Sequence, residues 1–84
     1  MYQLEFTSRF ERDLKKLSSN KVLVKQIYNT LETLLETPSH PSLRLHKVST
    51  EVWSVSVNMS IRILINFSGN IIFLLKVGNH DDVY

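Results

Sequence analysis

The sequence predicts an α+β fold: a single small domain, residues 1–84, in which an N-terminal helical hairpin packs on a mostly antiparallel sheet in the order βααβββ. Two observations predict this fold. Apolar residues recur at three- and four-residue spacings in the first half of the chain, as they do in helices. From Pro38 onward they alternate with polar residues or form short runs, as they do in strands. A chain of 84 residues leaves room for one domain.

The first part of the chain predicts a short strand and a first helix. Residues 2–6 alternate between apolar and polar side chains, which is typical of a strand covered on one face. Thr7 or Ser8 offers an oxygen that can cap a helix, and Glu11 lies three residues after Ser8, as in a capping box. The apolar stripe of the helix consists of Phe10, Leu14 and Leu17.

The second helix has the stronger local pattern. Its apolar stripe consists of Val24, Ile27, Tyr28, Leu31, Leu34 and Leu35. Residues 18–20 interrupt the first helix and can cap the second, and Pro38 disfavours helical geometry at Thr37. Because only three polar residues join the two helices, we expect an antiparallel hairpin.

The remainder of the chain predicts the sheet. Residues 43–48 alternate weakly, and residues 52–57 alternate clearly and are rich in Val and Trp. Residues 61–67 and 71–77 form two further strands joined by a tight turn at residues 68–70. The last two strands are apolar on both faces, so we expect them in the middle of the sheet.

Composition and charge exclude several classes of protein. The absence of cysteine excludes a disulfide framework and a thiolate zinc site, and the three histidines lack the spacing of a metal site. The start of the chain lacks the pattern of a signal peptide, and no apolar run approaches the roughly 18 residues of a membrane span. We therefore expect a cytoplasmic protein that requires no cofactor and has no membrane partner. The net charge of +2 permits a nucleic-acid partner.

The tail after the last predicted strand is unusual for a chain terminus. Residues 78–84 are polar and aromatic, although terminal residues are often disordered. Tyr84 is better explained if it packs or stacks on a ligand. His80 is a candidate general acid or base, or else a surface histidine beside two aspartates.

Two cations interrupt the predicted apolar strands. With a turn centred on Gly69, Arg62 and Lys76 fall opposite each other on one face of the hairpin. Like charges placed so close predict an anionic partner, which is either a phosphate or a nearby acid. The candidate acids are Glu51, Asp81 and Asp82.

Basic residues also occur at two other places. Arg44, His46 and Lys47 form a small cluster that suits phosphate binding, although edge strands often carry such solvated charges. Residues 1–30 contain six of the ten cations and three of the eight acids. This basic hairpin is either a solvated face or a surface that attracts a polyanion, in which case binding would weaken with salt.

The order of these features resembles the RelE/ParE toxin superfamily of prokaryotic toxin–antitoxin modules, and its RelE-like and YafQ-like ribonucleases most of all. The resemblance covers essentially the whole chain and depends on the order and spacing of its motifs. The stretches that carry it are residues 6–17 (FTSRFERDLKKL), 45–48 (LHKV), 52–55 (VWSV), 61–65 (IRILI) and 77–84 (VGNHDDVY).

The resemblance implies a RelE-like fold and an endoribonuclease that cleaves messenger RNA on the ribosome without a metal, through attack of the 2′-hydroxyl. By this analogy His80 and His46 transfer protons, Tyr84 orients the substrate, and Arg62 and Lys76 steady the phosphate. It also implies an antitoxin partner, with operator DNA bound only through that antitoxin.

The sequence departs from the YafQ-like pattern before the third strand. Those relatives carry a further His and Asp where this chain has Val57-Asn58-Met59-Ser60, so His46 and His80 would share the proton transfers. Two alternatives stay open. The ParE branch shares the fold and inhibits DNA gyrase, usually without this histidine tail, and a degenerate toxin would only bind its antitoxin.

Overall fold

Five strands and three helices are present in the computed structural model, which describes the backbone of residues 1–83 and the side chains of residues 1–81. The predicted α+β fold is confirmed. Two short elements, β2 and α3, add to the expected order, and a single 3₁₀ turn, Pro41–Leu43, precedes β2. The elements are β1 (Gln3–Phe6), α1 (Ser8–Leu17), α2 (Lys21–Glu36), β2 (His46–Lys47), β3 (Trp53–Ser56), β4 (Ile61–Ser68), β5 (Ile71–Asn79) and α3 (His80–Val83).

Side-chain oxygens cap both long helices at their N-termini. Thr7, the N-cap of α1, accepts a hydrogen bond from the Phe10 N–H at 3.2 Å, so the capping box expected from Ser8 is wrong. Asn20 caps α2 by accepting from the Leu23 N–H at 3.0 Å. Helix α2 ends at Glu36, as the following proline predicts. Among residues 1–83, no helix has the length and apolarity needed to cross a membrane.

The five strands form one sheet in the order β1-β5-β4-β3-β2. Strand β1 pairs with β5 in parallel, and every other pair is antiparallel. Strands β4 and β5 therefore lie inside the sheet, as their apolar sequences predict.

The register of the β4–β5 hairpin differs from the prediction. Gly69, with a φ of +59°, begins a turn of only two residues, so Ser68 pairs with Ile71. A bulge between the pairs Ile65–Leu74 and Leu64–Lys76 then shifts the register again. Arg62 consequently faces Gly78, and the prediction that Arg62 and Lys76 are direct partners is wrong.

The bulge decides on which face of the sheet Lys76 lies. Without it, Lys76 would continue the register of Leu74 and fall opposite Ile63, which is fully buried in the core. One extra residue reverses the alternation. Lys76 therefore shares the face of Leu64 and Arg62, and Val77 enters the core in its place.

The hydrophobic core fills the space between the two long helices and one face of the sheet. Phe10 of α1 is completely buried there. The other buried members are Leu23, Ile27, Leu31, Leu34, Leu43, Val55, Ile61, Ile63, Ile65, Ile72, Leu74 and Val77. Leu64 is also buried, at 6% exposure, but it lies outside this cluster, as expected for a residue on the opposite face.

A buried carboxylate ties α1 to the part of β5 that lies beyond β1. Strand β1 ends at Phe6, which pairs with Leu74, so the next stretch of β5 has no neighbouring strand on that side. There the Asp13 carboxylate accepts a hydrogen bond from the Val77 N–H at 3.2 Å. Arg9 donates to the same carboxylate through Nε at 3.1 Å. Asp13 thus satisfies a strand N–H that would otherwise lack a partner.

We expect Asp13→Ala to lower the free energy of unfolding by about 1–3 kcal/mol, because it leaves the buried Val77 N–H without an acceptor. Urea denaturation of the purified protein measures the change. Asp13→Asn is the matched control, since its amide oxygen can still accept this bond. Equal unfolding free energies for Asp13→Ala and the wild type would contradict the assigned role.

Candidate functional site

The face of the sheet that does not contribute to the core gathers most of the predicted site residues. The register places His46 opposite Ser54, Ser54 opposite Leu64, and Leu64 opposite Lys76. Cross-strand partners share a face, and so do residues two apart along a strand, which adds Arg62 to this set. Strands β2, β3, β4 and β5 therefore present their polar side chains on one side, the candidate site.

Arg62 is the centre of this site, and two side chains fix its guanidinium. Its Nε donates to the Ser54 Oγ at 2.9 Å, and Ser54 is completely buried. Its Nη2 lies 3.1 Å from the His46 Nδ1. The remaining N–H groups of Arg62 make no hydrogen bond with a side chain among residues 1–81. A guanidinium held in this way is preorganised to bind an anion.

The His46 ring lies between a donor and an acceptor. Its Nδ1 is 3.1 Å from Arg62 Nη2 and 3.3 Å from the Arg44 carbonyl oxygen. When Nδ1 accepts from Arg62, the ring proton is on Nε2; when Nδ1–H donates to the carbonyl, Nε2 presents its lone pair. Both tautomers of this exposed histidine therefore have a partner at Nδ1.

Lys76 lies diagonally from Arg62, two pairs further along the hairpin and therefore on the same face. Its side chain is half-buried. Within the described side chains, neither cation forms an ion pair with an acid, and Glu51 is exposed. The two charges therefore create a positive region on this face of the sheet, where an anion is the expected partner.

His80 lies at the end of the sheet that carries Arg62. Its backbone N–H donates to the Ser60 carbonyl at 2.9 Å, and it begins α3 directly after β5. The side chain is 60% exposed, with Nδ1 3.7 Å from the Asp81 carboxylate. Tyr84, predicted to orient the substrate, lies outside the described residues, as does the Asp82 side chain.

The structure separates Lys47 from the other predicted site residues. Lys47 pairs with Trp53, and its Nζ lies 5.9 Å from the centre of the indole ring. This register turns Lys47 to the face opposite Arg62. Arg44 follows the 3₁₀ turn in a left-handed conformation, with a φ of +47°, and its carbonyl contacts His46 while its side chain is exposed.

Sequence reasoning missed Ser54, whose hydroxyl orients Arg62. The available signal was its alternation with Val55 in a strand, which places serine on the face opposite the core. Asn58 organises the β3–β4 turn. Its Oδ1 accepts from the N–H groups of Ser60 and Ile61, both at 2.8 Å.

Metal ligands do not gather in the described part of the chain: residues 1–81 contain no group of three or more His, Asp or Glu side chains placed to hold a metal ion. The candidate site presents two cations, Arg62 and Lys76, and the His46 imidazole on one face of the sheet.

Solved structures of toxins share this fold along its full length. A copper-bound mutant toxin from Helicobacter pylori has a TM-score of 0.84, with 18% identity and 100% of both chains covered. YafQ from E. coli strain BL21(DE3) also has a TM-score of 0.84, with 10% identity, covering 100% of this chain and 99% of its own. The YoeB–YefM complex from Staphylococcus aureus has a TM-score of 0.78, with 20% identity, covering 95% of this chain and 98% of its own.

Sequence comparison identifies the family directly. No curated protein matches the chain significantly. Residues 4–84 match the family described as "ParE toxin of type II toxin-antitoxin system, parDE". This match spans nearly the whole chain and agrees with the fold shared with YafQ and YoeB. The protein therefore belongs to the ParE toxin family and is a type II toxin of the RelE/ParE superfamily.

Proposed function

We propose that this toxin is an endoribonuclease that cleaves messenger RNA on the ribosome and thereby inhibits translation. The 2′-hydroxyl attacks the adjacent phosphorus, and the bond to the 5′ oxygen of the next nucleotide breaks. The products are a 2′,3′-cyclic phosphate and a free 5′-hydroxyl. The protein's own residues remove the proton of the 2′-hydroxyl and protonate the leaving 5′ oxygen, and no metal takes part.

The observation that carries this proposal is the guanidinium of Arg62, fixed between Ser54 and His46 on a positively charged face of the sheet. A preorganised cation stabilises the extra negative charge that develops on the phosphate oxygens in the transition state. The similarity of the fold to YafQ and YoeB supports the same class of activity.

The site residues divide the chemistry as follows. Arg62 and Lys76 bind the non-bridging phosphate oxygens, and Arg44 binds the RNA backbone outside this centre. Of His46 and His80, one removes the proton of the 2′-hydroxyl and the other protonates the leaving 5′ oxygen. Tyr84 orients the nucleotide at the cleavage site.

A cognate antitoxin is the proposed protein partner. Two structures similar to this chain are complexes, YoeB–YefM and DinJ–YafQ, described as toxin–antitoxin complexes. We propose that the antitoxin covers the candidate site and supplies the DNA-binding part of the complex, so that operator DNA is bound only indirectly. Co-expression of the antitoxin is expected to restore growth.

We expect His80→Ala to slow RNA cleavage by about 10²-fold, near the lower end of general acid–base contributions, because His46 remains. Purified protein is incubated with ribosomes programmed with a defined message, and primer extension maps the cuts. His40→Ala is the matched control, since His40 is exposed and its Nδ1 only accepts from Ser42 beside the 3₁₀ turn. Undiminished cleavage by His80→Ala would contradict the role of His80.

Inhibition of DNA gyrase is the second candidate function, because the matching family is described as the ParE toxin. A supercoiling assay with purified gyrase separates the two. The ribonuclease proposal predicts cleaved message and unchanged supercoiling. Intact message on programmed ribosomes together with inhibited supercoiling would replace it with gyrase inhibition, and neither activity would indicate a degenerate toxin that only binds its antitoxin.

A further inference from the structure

A second cationic region lies at the edge of β5, next to the candidate site. It is a cleft of about 250 Å³ between one side of α1 and the end of β5, which we call the α1 cleft. Its polar lining includes Arg9, Asp13 and Lys16 from α1 and Asn79 from β5. The cleft exists because β1 ends at Phe6 and leaves this part of the β5 edge uncovered by a strand.

The charges in the α1 cleft are not balanced. Both oxygens of Asp13 are engaged, by Arg9 Nε and by the Val77 N–H, and the carboxylate side chain is only 10% exposed. Arg9 is half exposed, and its terminal amino groups make no hydrogen bond with a side chain among the described residues. The exposed Lys16 forms no ion pair within the same part of the chain. One net positive charge therefore faces the solvent.

The α1 cleft and the candidate site share one stretch of β5. Gly78 lines the cleft and is also the direct cross-strand partner of Arg62. Because Gly78 has no side chain, nothing at this position projects between Arg62 and the edge of the strand. Asn79, the next residue, lines the cleft and precedes His80. Gly78 therefore links the candidate site to the α1 cleft along one strand.

We propose that the α1 cleft is a second phosphate subsite, which binds a neighbouring phosphate of the RNA strand whose scissile phosphate lies at Arg62. This inference rests on the proposed ribonuclease function. The terminal amino groups of Arg9 can donate to two oxygens of one phosphate, and Lys16 adds a second positive charge. The subsite contributes to substrate binding and takes no part in bond cleavage.

The test compares two neighbouring lysines of α1 in RNA binding. Lys15 and Lys16 are both exposed, but Lys15 lines the groove between α1 and α2, on another side of the helix. Binding of a fluorescent 2′-O-methyl single-stranded RNA, which lacks the attacking hydroxyl, is measured by anisotropy across a salt series. For Lys16→Ala we expect weaker binding and a log–log salt slope smaller in magnitude by about 0.7, the value of one lost phosphate contact on a single strand.

The Lys15→Ala variant is expected to keep the wild-type slope, and Lys16→Arg is expected to restore it. Equal slopes for Lys15→Ala and Lys16→Ala would overturn the subsite, because the effect of Lys16 would then be general electrostatics. If the wild type cleaves programmed message but Lys15→Ala and Lys16→Ala have the same salt slope, only the subsite is overturned. A slope difference without cleavage would overturn the ribonuclease proposal alone, and absence of both RNA binding and cleavage by the wild type would overturn both.

Discussion

Replacement of Arg62 by alanine is expected to reduce the rate of RNA cleavage by about 10³-fold, the upper end of the effect of removing one donor that stabilises transition-state charge. The change removes the cation at the centre of the site and also the donor that faces His46 Nδ1. Single-turnover cleavage on programmed ribosomes measures the rate. Growth after induction provides an independent readout in cells.

Graded variants separate the charge of Arg62 from its orientation. Arg62→Lys keeps the charge but loses the planar fork that spans Ser54 and His46, so we expect an intermediate rate. Ser54→Ala keeps the guanidinium but removes the acceptor of its Nε–H, and we expect a smaller loss, of about tenfold, the equivalent of a hydrogen bond of about 1.4 kcal/mol. A cleavage rate for Arg62→Ala equal to that of the wild type would remove Arg62 from the site.

Replacement of Phe10 by alanine has the largest expected effect on stability, a loss of about 3–5 kcal/mol. Phe10 is completely buried and meets the Phe6 ring edge-on, with the ring centres 5.4 Å apart. A small domain has a total stability of only about 5–15 kcal/mol, so the variant is expected to lose a large part of it. Thermal unfolding followed by circular dichroism should show a Tm lower by at least about 12 °C.

The matched control for Phe10 is Tyr28, an aromatic residue of α2 that is 48% exposed. Tyr28→Ala is expected to change the free energy of unfolding by about 1 kcal/mol or less, since truncation there leaves no internal cavity. Equal losses for Phe10→Ala and Tyr28→Ala would show that α1 does not pack in the core as described.

The features that depend on neighbours in sequence were predictable. The apolar stripe of α2 and the proline after it predict the helix and its end, because helical periodicity and the geometry before proline are local properties. The apolar runs of β4 and β5 predict their place inside the sheet in the same way. The resemblance of the tail and strands to RelE/ParE toxins agrees with the family match of residues 4–84.

The composition of the candidate site was predictable only in part. His46 and Arg62, both predicted as site residues, are in contact at 3.1 Å. Ser54, which holds Arg62, was missed, because its alternation with Val55 gives its face of the strand but not its partner across the sheet. Lys47 is adjacent to His46 in sequence yet faces Trp53, because neighbouring strand residues point to opposite faces. Adjacency in sequence therefore predicted a larger basic cluster than the structure contains.

By itself, the sequence determined the type of each main element, the presence of cations on two inner strands, and the core residues Phe10, Ile27, Leu31 and Leu34. The predicted stripe of α2 also included Tyr28, which is exposed, and omitted Leu23, which is buried. The tertiary structure decided which of these residues meet. A two-residue turn at Gly69 and a bulge beside Leu74 set the pairing of Arg62 with Gly78 and turned Lys76 out of the core. Where a bulge falls depends on packing across the whole sheet and on the ties of α1 to β5, such as the bond from Val77 to Asp13. The alternation along one strand cannot contain that information, because a single inserted residue reverses it.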